Sequence, residues 1–256
     1  MIDSTTMAEG NAANASMGAA PPFCLFLDVD GTLLDFAPTP GEVHVDAELV
    51  DLLRQLERVC DGALALVSGR PITELDDLFA PLFLSVAGVH GCERRDASGH
   101  WYRPAFEGSA LEPIRRDIEH SLREIHGTLV EDKGCAIAVH FRGAPHLEEV
   151  LKLRLSSALT RTTDYELLEG DHVIEIKPVT QNKATAIEAF MQEAPFAGRT
   201  PIFVGDDKTD LDGFAAVRRF QGQAISVGSR VIADKALPNP AAVRAWLREL
   251  LRESRG

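Results

Sequence analysis

Two short apolar runs limit the folds open to this chain more than anything else in it. Phe23-Cys24-Leu25-Phe26-Leu27 contains no charged or alternating polar residue and passes directly into Asp28-Val29-Asp30-Gly31-Thr32. Pro201-Ile202-Phe203-Val204 passes in the same way into Gly205-Asp206-Asp207-Lys208-Thr209-Asp210. A strand with one solvated face alternates apolar and polar residues; a strand covered on both faces reads as continuous apolar sequence, the pattern of a parallel sheet between helices. Ala63 to Val67 is a third such run. Between the first and the third, Leu49, Val50, Leu52, Leu53, Leu56 and Val59 recur at helical spacing, with Asp46 placed to cap the helix. Strand, helix and strand joined by short links imply a right-handed crossover. The rhythm returns near the end: Leu211 to Val217 is helix-like, Ala224 to Val227 apolar, and Pro240 to Leu251 a terminal helix. Both ends of the chain therefore belong to one α/β unit with a Rossmann-like, mostly parallel sheet.

The middle of the chain has a different rhythm. Leu111 to Ile125 and His146 to Leu159 have helical periods, and each is followed by a strand-like segment, Cys135 to Phe141 and His172 to Ile176. This predicts a small α+β layer inserted at residues 108–178, leaving 22–107 and 179–256 as the core. A length of 256 residues suits such a core with an insert. Residues 1–21 lack the basic start and apolar block of a secretory signal and read as a loose tail. No apolar run approaches the roughly 18 residues of a membrane span. The expectation is a soluble cytoplasmic protein, with no membrane partner.

Charge sharpens the question of function. With 26 basic against 39 acidic residues the net charge is −13, which argues against a nucleic-acid partner, because phosphate neutralisation needs clustered cations. The four cysteines, Cys24, Cys60, Cys92 and Cys135, are more than thirty residues apart and match no zinc spacing. They are expected as inert buried thiols in a reducing compartment.

In a parallel α/β sheet the side chains at the carboxyl ends of the strands line the ligand crevice. Asp28 and Asp30 fall there, with Gly31 permitting the turn, and a neighbouring strand would bring Asp206, Asp207 and Asp210 to the same edge. Two unpaired carboxylates about 4 Å apart repel by roughly 4 kcal/mol at an effective dielectric near 20, so a cation is the natural remedy. Hard oxygen ligands in that number favour Mg²⁺. Asp210 also reads as a helix-start acid favoured by the macrodipole. Ser68-Gly69-Arg70 follows another buried strand, where a hydroxyl and backbone N–H groups can hold phosphoryl oxygens. Lys183 opens the helical segment Asn182 to Gln192, where its ammonium can face a carboxylate and a phosphate.

These segments, DVDGT, SGR, NK and GDDKTD in that order, resemble the four motifs of the haloacid dehalogenase superfamily of phosphohydrolases, with the insert placed as in its type C2 caps. The resemblance is closer still to the trehalose-6-phosphate phosphatase family, through Gly88-Val89-His90-Gly91-Cys92-Glu93, Glu131-Asp132-Lys133-Gly134, Ala138-Val139-His140-Phe141-Arg142, Val173-Ile174-Glu175-Ile176-Lys177-Pro178 and the doubled acid of GDDKTD. It covers residues 22 to 251. It implies that Asp28 is a nucleophile forming an aspartyl-phosphate and that Asp30 protonates the leaving oxygen and then activates water. It implies Mg²⁺ held by Asp28, the backbone carbonyl of Asp30 and Asp206, with Asp207 or Asp210 behind them, and a phosphoryl group held by Ser68 and Lys183. Glu131, Lys133 and Glu175 match positions that bind the sugar hydroxyls, and His140, Arg142 and Arg70 are further substrate-binding candidates. Read alone, Glu131-Asp132-Lys133 is rather a charged hairpin tip, and His90 a core histidine. Leu211 departs from the acid that commonly follows this segment in the family.

The expected protein is a monomeric Mg²⁺-dependent phosphatase whose partner is a small-molecule sugar phosphate, trehalose 6-phosphate, at the last step of trehalose synthesis. The rivals are the same chemistry on sucrose phosphate or a hexose phosphate, and a non-catalytic sugar-phosphate sensor.

Overall fold

The computed structural model describes residues 23–36, 43–103, 111–123, 125–160, 162–170 and 172–254. The tail expected over residues 1–21 and the expected start of the insert at residue 108 lie outside the described residues.

In chain order the elements are β1 (Phe23–Leu27), α1 (Ala47–Val59), β2 (Leu64–Val67), α2 (Ile72–Leu78), β3 (Ser85–Gly88), β4 (Glu93–Arg95) and β5 (Trp101–Tyr102). There follow α3 (Leu111–Leu122), β6 (Leu129–Asp132), β7 (Ile137–His140), α4 (Glu148–Ala158), β8 (Tyr165–Gly170) and β9 (Val173–Pro178). The chain then returns through α5 (Lys183–Phe190), β10 (Thr200–Gly205), α6 (Leu211–Arg219), β11 (Gln223–Val227), β12 (Lys235–Leu237) and α7 (Pro240–Glu253).

Among the described residues, eight strands form the larger sheet in the order β12-β11-β10-β1-β2-β3-β4-β5. It is parallel from β12 to β3, and the uninterrupted apolar runs are its central strands, as the sequence pattern predicts. Every residue of β2 is buried, and so are the last four of β1. Phe26, Phe190 and Phe196 pack ring against ring beneath the sheet, with centroids 5.0 to 5.9 Å apart. Helix α1 begins where Asp46 accepts the N–H of Leu49 at 2.7 Å, and it turns Leu49, Leu52, Leu53 and Leu56 inward.

Strands β4 and β5 extend the sheet antiparallel to β3. Strand β4 carries no apolar signature, since it is Glu93-Arg94-Arg95 and is nevertheless buried. Each charge there has a partner: Glu93 accepts the N–H of Ile72 at the start of α2, Arg94 pairs with Glu193, and Arg95 grips both oxygens of Asp76 and the Leu84 carbonyl.

Residues 111–178 hold a separate four-stranded antiparallel sheet, β6-β7-β9-β8. Helices α3 and α4 pack on it around a distinct core that includes Ile118, Val139, Phe141, Leu151, Leu155, Ile174 and Ile176.

The expectation of four inert thiols holds for two. Cys24 and Cys60 are buried and free, and burial pushes each thiol up to about 12. Cys92 and Cys135 instead form a disulfide. A sequence separation of 43 hid the pair because the residues between them include part of the folded insert, which returns Cys135 to the sheet end of β3. Among the described residues no helix is long and apolar enough to cross a membrane.

Candidate active site

Register decides which acids meet. Leu27 at the end of β1 pairs with Val204 of β10, so the chain leaves both strands at the same level, and the Asp28 N–H donates to the Val204 carbonyl at 3.0 Å. Gly31 is required at the turn that follows: its φ is +82°, and a Cβ there would lie 2.4 Å from Asp206 Oδ2. Carboxylate oxygens of Asp28, Asp206 and Asp210 fall within 4.8 Å of one another, and all three residues are buried.

Lys183 is at the centre of this group. Asn182 caps α5 by accepting the Thr185 N–H, which sets Lys183 at the first helical position. From there its ammonium donates to Asp28 Oδ1 at 2.7 Å and to Asp210 Oδ1 at 2.6 Å. Asp210 is fully committed, because its other oxygen accepts the N–H groups of Asp206 and Asp207, each at 2.9 Å. It therefore fastens Lys183 to the turn that carries Asp206. Burial works against the charge on Lys183, but Asp210 and Asp28 outweigh it and hold the ammonium above the usual lysine range.

The acids remain short of positive charge. Burial raises the Asp28 carboxyl well above the ordinary range, opposed by Lys183 and reinforced by Asp210 and Asp206. Burial and then Asp210 push Asp206 up to about 6. Three buried carboxylates facing one lysine form a hard-oxygen donor set short of one cation, which fits a divalent metal ion at Asp28 and Asp206.

The other predicted acids point elsewhere. Both oxygens of Asp30 accept from one edge of the Arg70 guanidinium, Oδ2 from Nε at 2.7 Å and Oδ1 from Nη2 at 2.8 Å. Asp207 caps the next turn by accepting the Lys208 N–H at 2.7 Å. Of the carboxylates of Asp28, Asp30, Asp206 and Asp207, only those of Asp28 and Asp206 belong to the cluster, and Asp210 joins them. Ser68 is buried beside them and its oxygen accepts the N–H of Arg70 at 3.2 Å.

Over this edge lies a cavity of about 700 Å³, a volume suited to a small organic ligand, walled on one side by the acids and on the other by the smaller sheet. Its far wall contains Glu131, Lys133, His140, Arg142 and Glu175. Lys133 donates to Glu175 Oε1 at 2.7 Å and reaches across to the Gly69 carbonyl at 3.1 Å, while His140 and Glu131 are 2.7 Å apart. Burial alone would raise the Glu175 carboxyl; His90 and Lys133 outweigh it and hold the group far below the carboxylate range.

Sequence reasoning left His90 open and missed Arg230. His90 Nε2 lies 3.4 Å from Glu175 Oε2, so it is a cavity residue bridging the two sheets. It is placed there by a left-handed pair, Val89 at φ +48° and His90 at +55°, a conformation costing about 1–3 kcal/mol per residue. Two hydrogen bonds secure it: the Val89 N–H donates to the Arg70 carbonyl and the His90 N–H to the Ser68 carbonyl. Arg230 stands 3.7 Å from Asp206 with its guanidinium over the Phe36 ring, and nothing in its surrounding sequence signals that place.

Known proteins resemble this chain in sequence and in fold. The family model described as Trehalose-phosphatase matches residues 26–241. The trehalose-6-phosphate phosphatase of Escherichia coli is 41% identical over 227 residues, which cover 88% of this chain and 85% of that one. A crystal structure of a trehalose-6-phosphate phosphatase related protein aligns with a TM-score of 0.75 and 25% identity, covering 91% of this chain and 98% of its own. A haloacid dehalogenase-like hydrolase from Bacteroides thetaiotaomicron shares the fold, with a TM-score of 0.66 and 14% identity over 90% of this chain and 100% of its own.

Proposed function

Because the chain belongs to the trehalose-phosphatase family, we propose that it hydrolyses trehalose 6-phosphate to trehalose and inorganic phosphate as the last step of trehalose synthesis. The observation that carries this reading is one cavity bounded by both the Asp28–Lys183–Asp210 network and the polar group of Glu131, Lys133 and Glu175. A phosphate centre alone would serve any phosphomonoester. A polar wall opposite it supplies acceptors and donors for sugar hydroxyls.

In this mechanism the Asp28 carboxylate attacks phosphorus and the bridging oxygen leaves with a proton from Asp30. Asp30 then takes a proton from water, which attacks the aspartyl-phosphate, releases phosphate and restores Asp28. Lys183 opposes the upward push of burial on the Asp28 carboxyl and, with Ser68, holds the phosphoryl oxygens. Arg70 fixes the Asp30 carboxylate at the cavity wall. Mg²⁺ held by Asp28, the Asp30 carbonyl and Asp206 would supply charge that offsets the transferring phosphoryl group. Residues 108–178 act as the cap, which excludes bulk water and selects the sugar. The enzyme works as a cytoplasmic monomer.

The test is parallel phosphate-release assays on trehalose 6-phosphate, sucrose 6-phosphate and glucose 6-phosphate with Mg²⁺. Trehalose 6-phosphate is expected to be turned over fastest, and Asp28→Asn to abolish turnover while leaving the fold intact. Strong turnover of a monosaccharide phosphate with none of trehalose 6-phosphate would overturn the substrate, and an active Asp28→Asn would overturn the covalent route.

A further inference from the structure

The disulfide joins the two halves of the cavity wall. Cys92 follows the left-handed turn that positions His90, at the end of β3, and is buried. Cys135 lies in the β6–β7 turn, two residues after Lys133, and is half-buried. The turn is tight: the Cys135 N–H donates to the Lys133 carbonyl and the Lys133 N–H to the Ala136 carbonyl. Cys135 cannot move from the sheet without carrying Lys133 with it. The two Cα atoms are 6.5 Å apart, within the span a disulfide bridges. Val89, Cys92, Ala136 and Cys135 form a small apolar cluster of their own, separate from the cores of both sheets.

The polar ties beside it are reversible. Lys133 to the Gly69 carbonyl and His90 to Glu175 are side-chain contacts that a rocking insert breaks and remakes. A covalent bond at the same hairpin is not. The cavity that the buried Asp28 lines also carries Lys133 of the hairpin tip and the Ser68–Arg70 loop, and the disulfide holds those two walls together at its own edge. In a reducing compartment, the one proposed above, such bonds are transient and serve sensing or catalysis.

We propose that Cys92 and Cys135 are a redox modification site for small-molecule disulfides, and that their bond shuts the insert over the catalytic edge. The proposal rests on the trehalose 6-phosphate reading for its kinetic consequence only. In the dithiol form the Cys135 thiolate, the more accessible of the two, attacks one sulfur of a reagent such as glutathione disulfide, whose S–S bond breaks and releases one thiolate. The Cys92 thiolate then attacks the Cys135 sulfur of the mixed disulfide and expels the second. The protons shed by the two cysteines end on the two released thiols, and two electrons pass from the protein pair to the reagent. A dithiol reductant reverses both steps.

The experiment compares the full chain after glutathione disulfide and after dithiothreitol. Three readouts apply: thiol titration with peptide mapping, hydrogen exchange of residues 129–140, and kcat/KM for trehalose 6-phosphate. Oxidation is expected to remove two titratable thiols, to map as a Cys92–Cys135 link, to slow exchange in the hairpin, and to lower kcat/KM at least tenfold, with recovery in dithiothreitol. Cys135→Ser and Cys92→Ser are each expected to exchange and turn over like the reduced protein under both conditions. Absence of the link, or a linked protein that exchanges and turns over like the reduced one, overturns the proposal. If neither form hydrolyses trehalose 6-phosphate, the substrate reading fails, and mapping with exchange still decides whether the pair closes the insert.

Discussion

Asp210→Asn tests the frame of the site more directly than a change at the proposed nucleophile, Asp28. Asp210 is completely buried and accepts three hydrogen bonds, from Lys183, the Asp206 N–H and the Asp207 N–H. An asparagine has one acceptor end. With its oxygen toward the two backbone N–H groups, its NH₂ faces the Lys183 ammonium; with its oxygen toward Lys183, its NH₂ faces two donors. Either orientation sets donor against donor and leaves the buried lysine with Asp28 as its only charge partner. Removing one member of a buried pair costs about 3–5 kcal/mol, a large part of a total stability of about 5–15 kcal/mol. At a urea slope of about 3 kcal/mol per molar, the unfolding midpoint should fall by roughly 1 to 2 M. Turnover by the folded fraction should fall about a hundredfold, since Lys183 loses the anchor that aims it at Asp28. Asp207→Asn is the internal control. Asp207 caps a turn, asparagine caps equally well, and the change should stay within about 0.5 kcal/mol. Urea melts and phosphate release at low temperature measure both variants. The reasoning is refuted if Asp210→Asn lies within 1 kcal/mol of the parent and turns over normally, or if Asp207→Asn is the more damaging change.

Other expectations follow from the cavity wall and its turns. Glu175→Gln removes the charged partner of Lys133, and kcat/KM for trehalose 6-phosphate should drop about 10- to 100-fold, with a much smaller loss on an aryl phosphate; equal losses would remove Glu175 from the sugar site. The pH dependence has a definite sign. With its carboxyl held below the ordinary value of about 4.3, Glu175 contributes stability that is present above that pH and is lost as pH falls through its depressed value. Denaturant midpoints from pH 6 down to 3 should therefore decline more steeply for the parent than for Glu175→Gln, and superimposable profiles would contradict the pairing. Gly91→Ala should cost at least about 2 kcal/mol, because φ is +95° and a Cβ would meet the Asn182 carbonyl at 2.3 Å; an unfolding curve like the parent's would show that this contact yields.

How much was legible in the sequence depended on whether a residue's role is local or made by distant chain. The central strands were legible because burial on both faces leaves unbroken apolar text, and the Asp46 cap because a cap is set three residues from its donor. The convergence of Asp28 and Asp206 followed from strand ends alone. Strand β4 was not legible, since burial of Glu93, Arg94 and Arg95 depends on partners such as Asp76 and Glu193 outside the strand. The same limit hid the Cys92–Cys135 bond and the turning of Asp30 to Arg70. Asp210 lay between: its position at a helix start was visible, but its three donors are a tertiary fact.

On the proposed reading, one contact links sugar selection to the phosphate chemistry. Lys133 binds Glu175 and also the carbonyl of Gly69, which sits between Ser68 and Arg70. Ser68 lines the same cavity as Asp28, the proposed nucleophile, and Arg70 fixes Asp30. A side chain on the proposed sugar wall therefore rests on the loop that carries both Ser68, proposed to hold the phosphoryl group, and Arg70, the partner of the proposed acid–base carboxylate. His90 adds a second tie, since its N–H is held by the Ser68 carbonyl while its ring faces Glu175. On the proposed reading, a sugar that fits the wall is expected to steady Lys133 and Glu175, and through them the Ser68–Arg70 loop, beyond what a phosphate ester without that sugar can do. Binding energy from the remote part of the substrate is then realised at the reacting centre, so loss of Lys133 should lower kcat as well as raise KM for trehalose 6-phosphate. Lys133→Met, which keeps the length and removes the charge, measures this: an effect confined to KM would show that the wall binds sugar without reaching the loop.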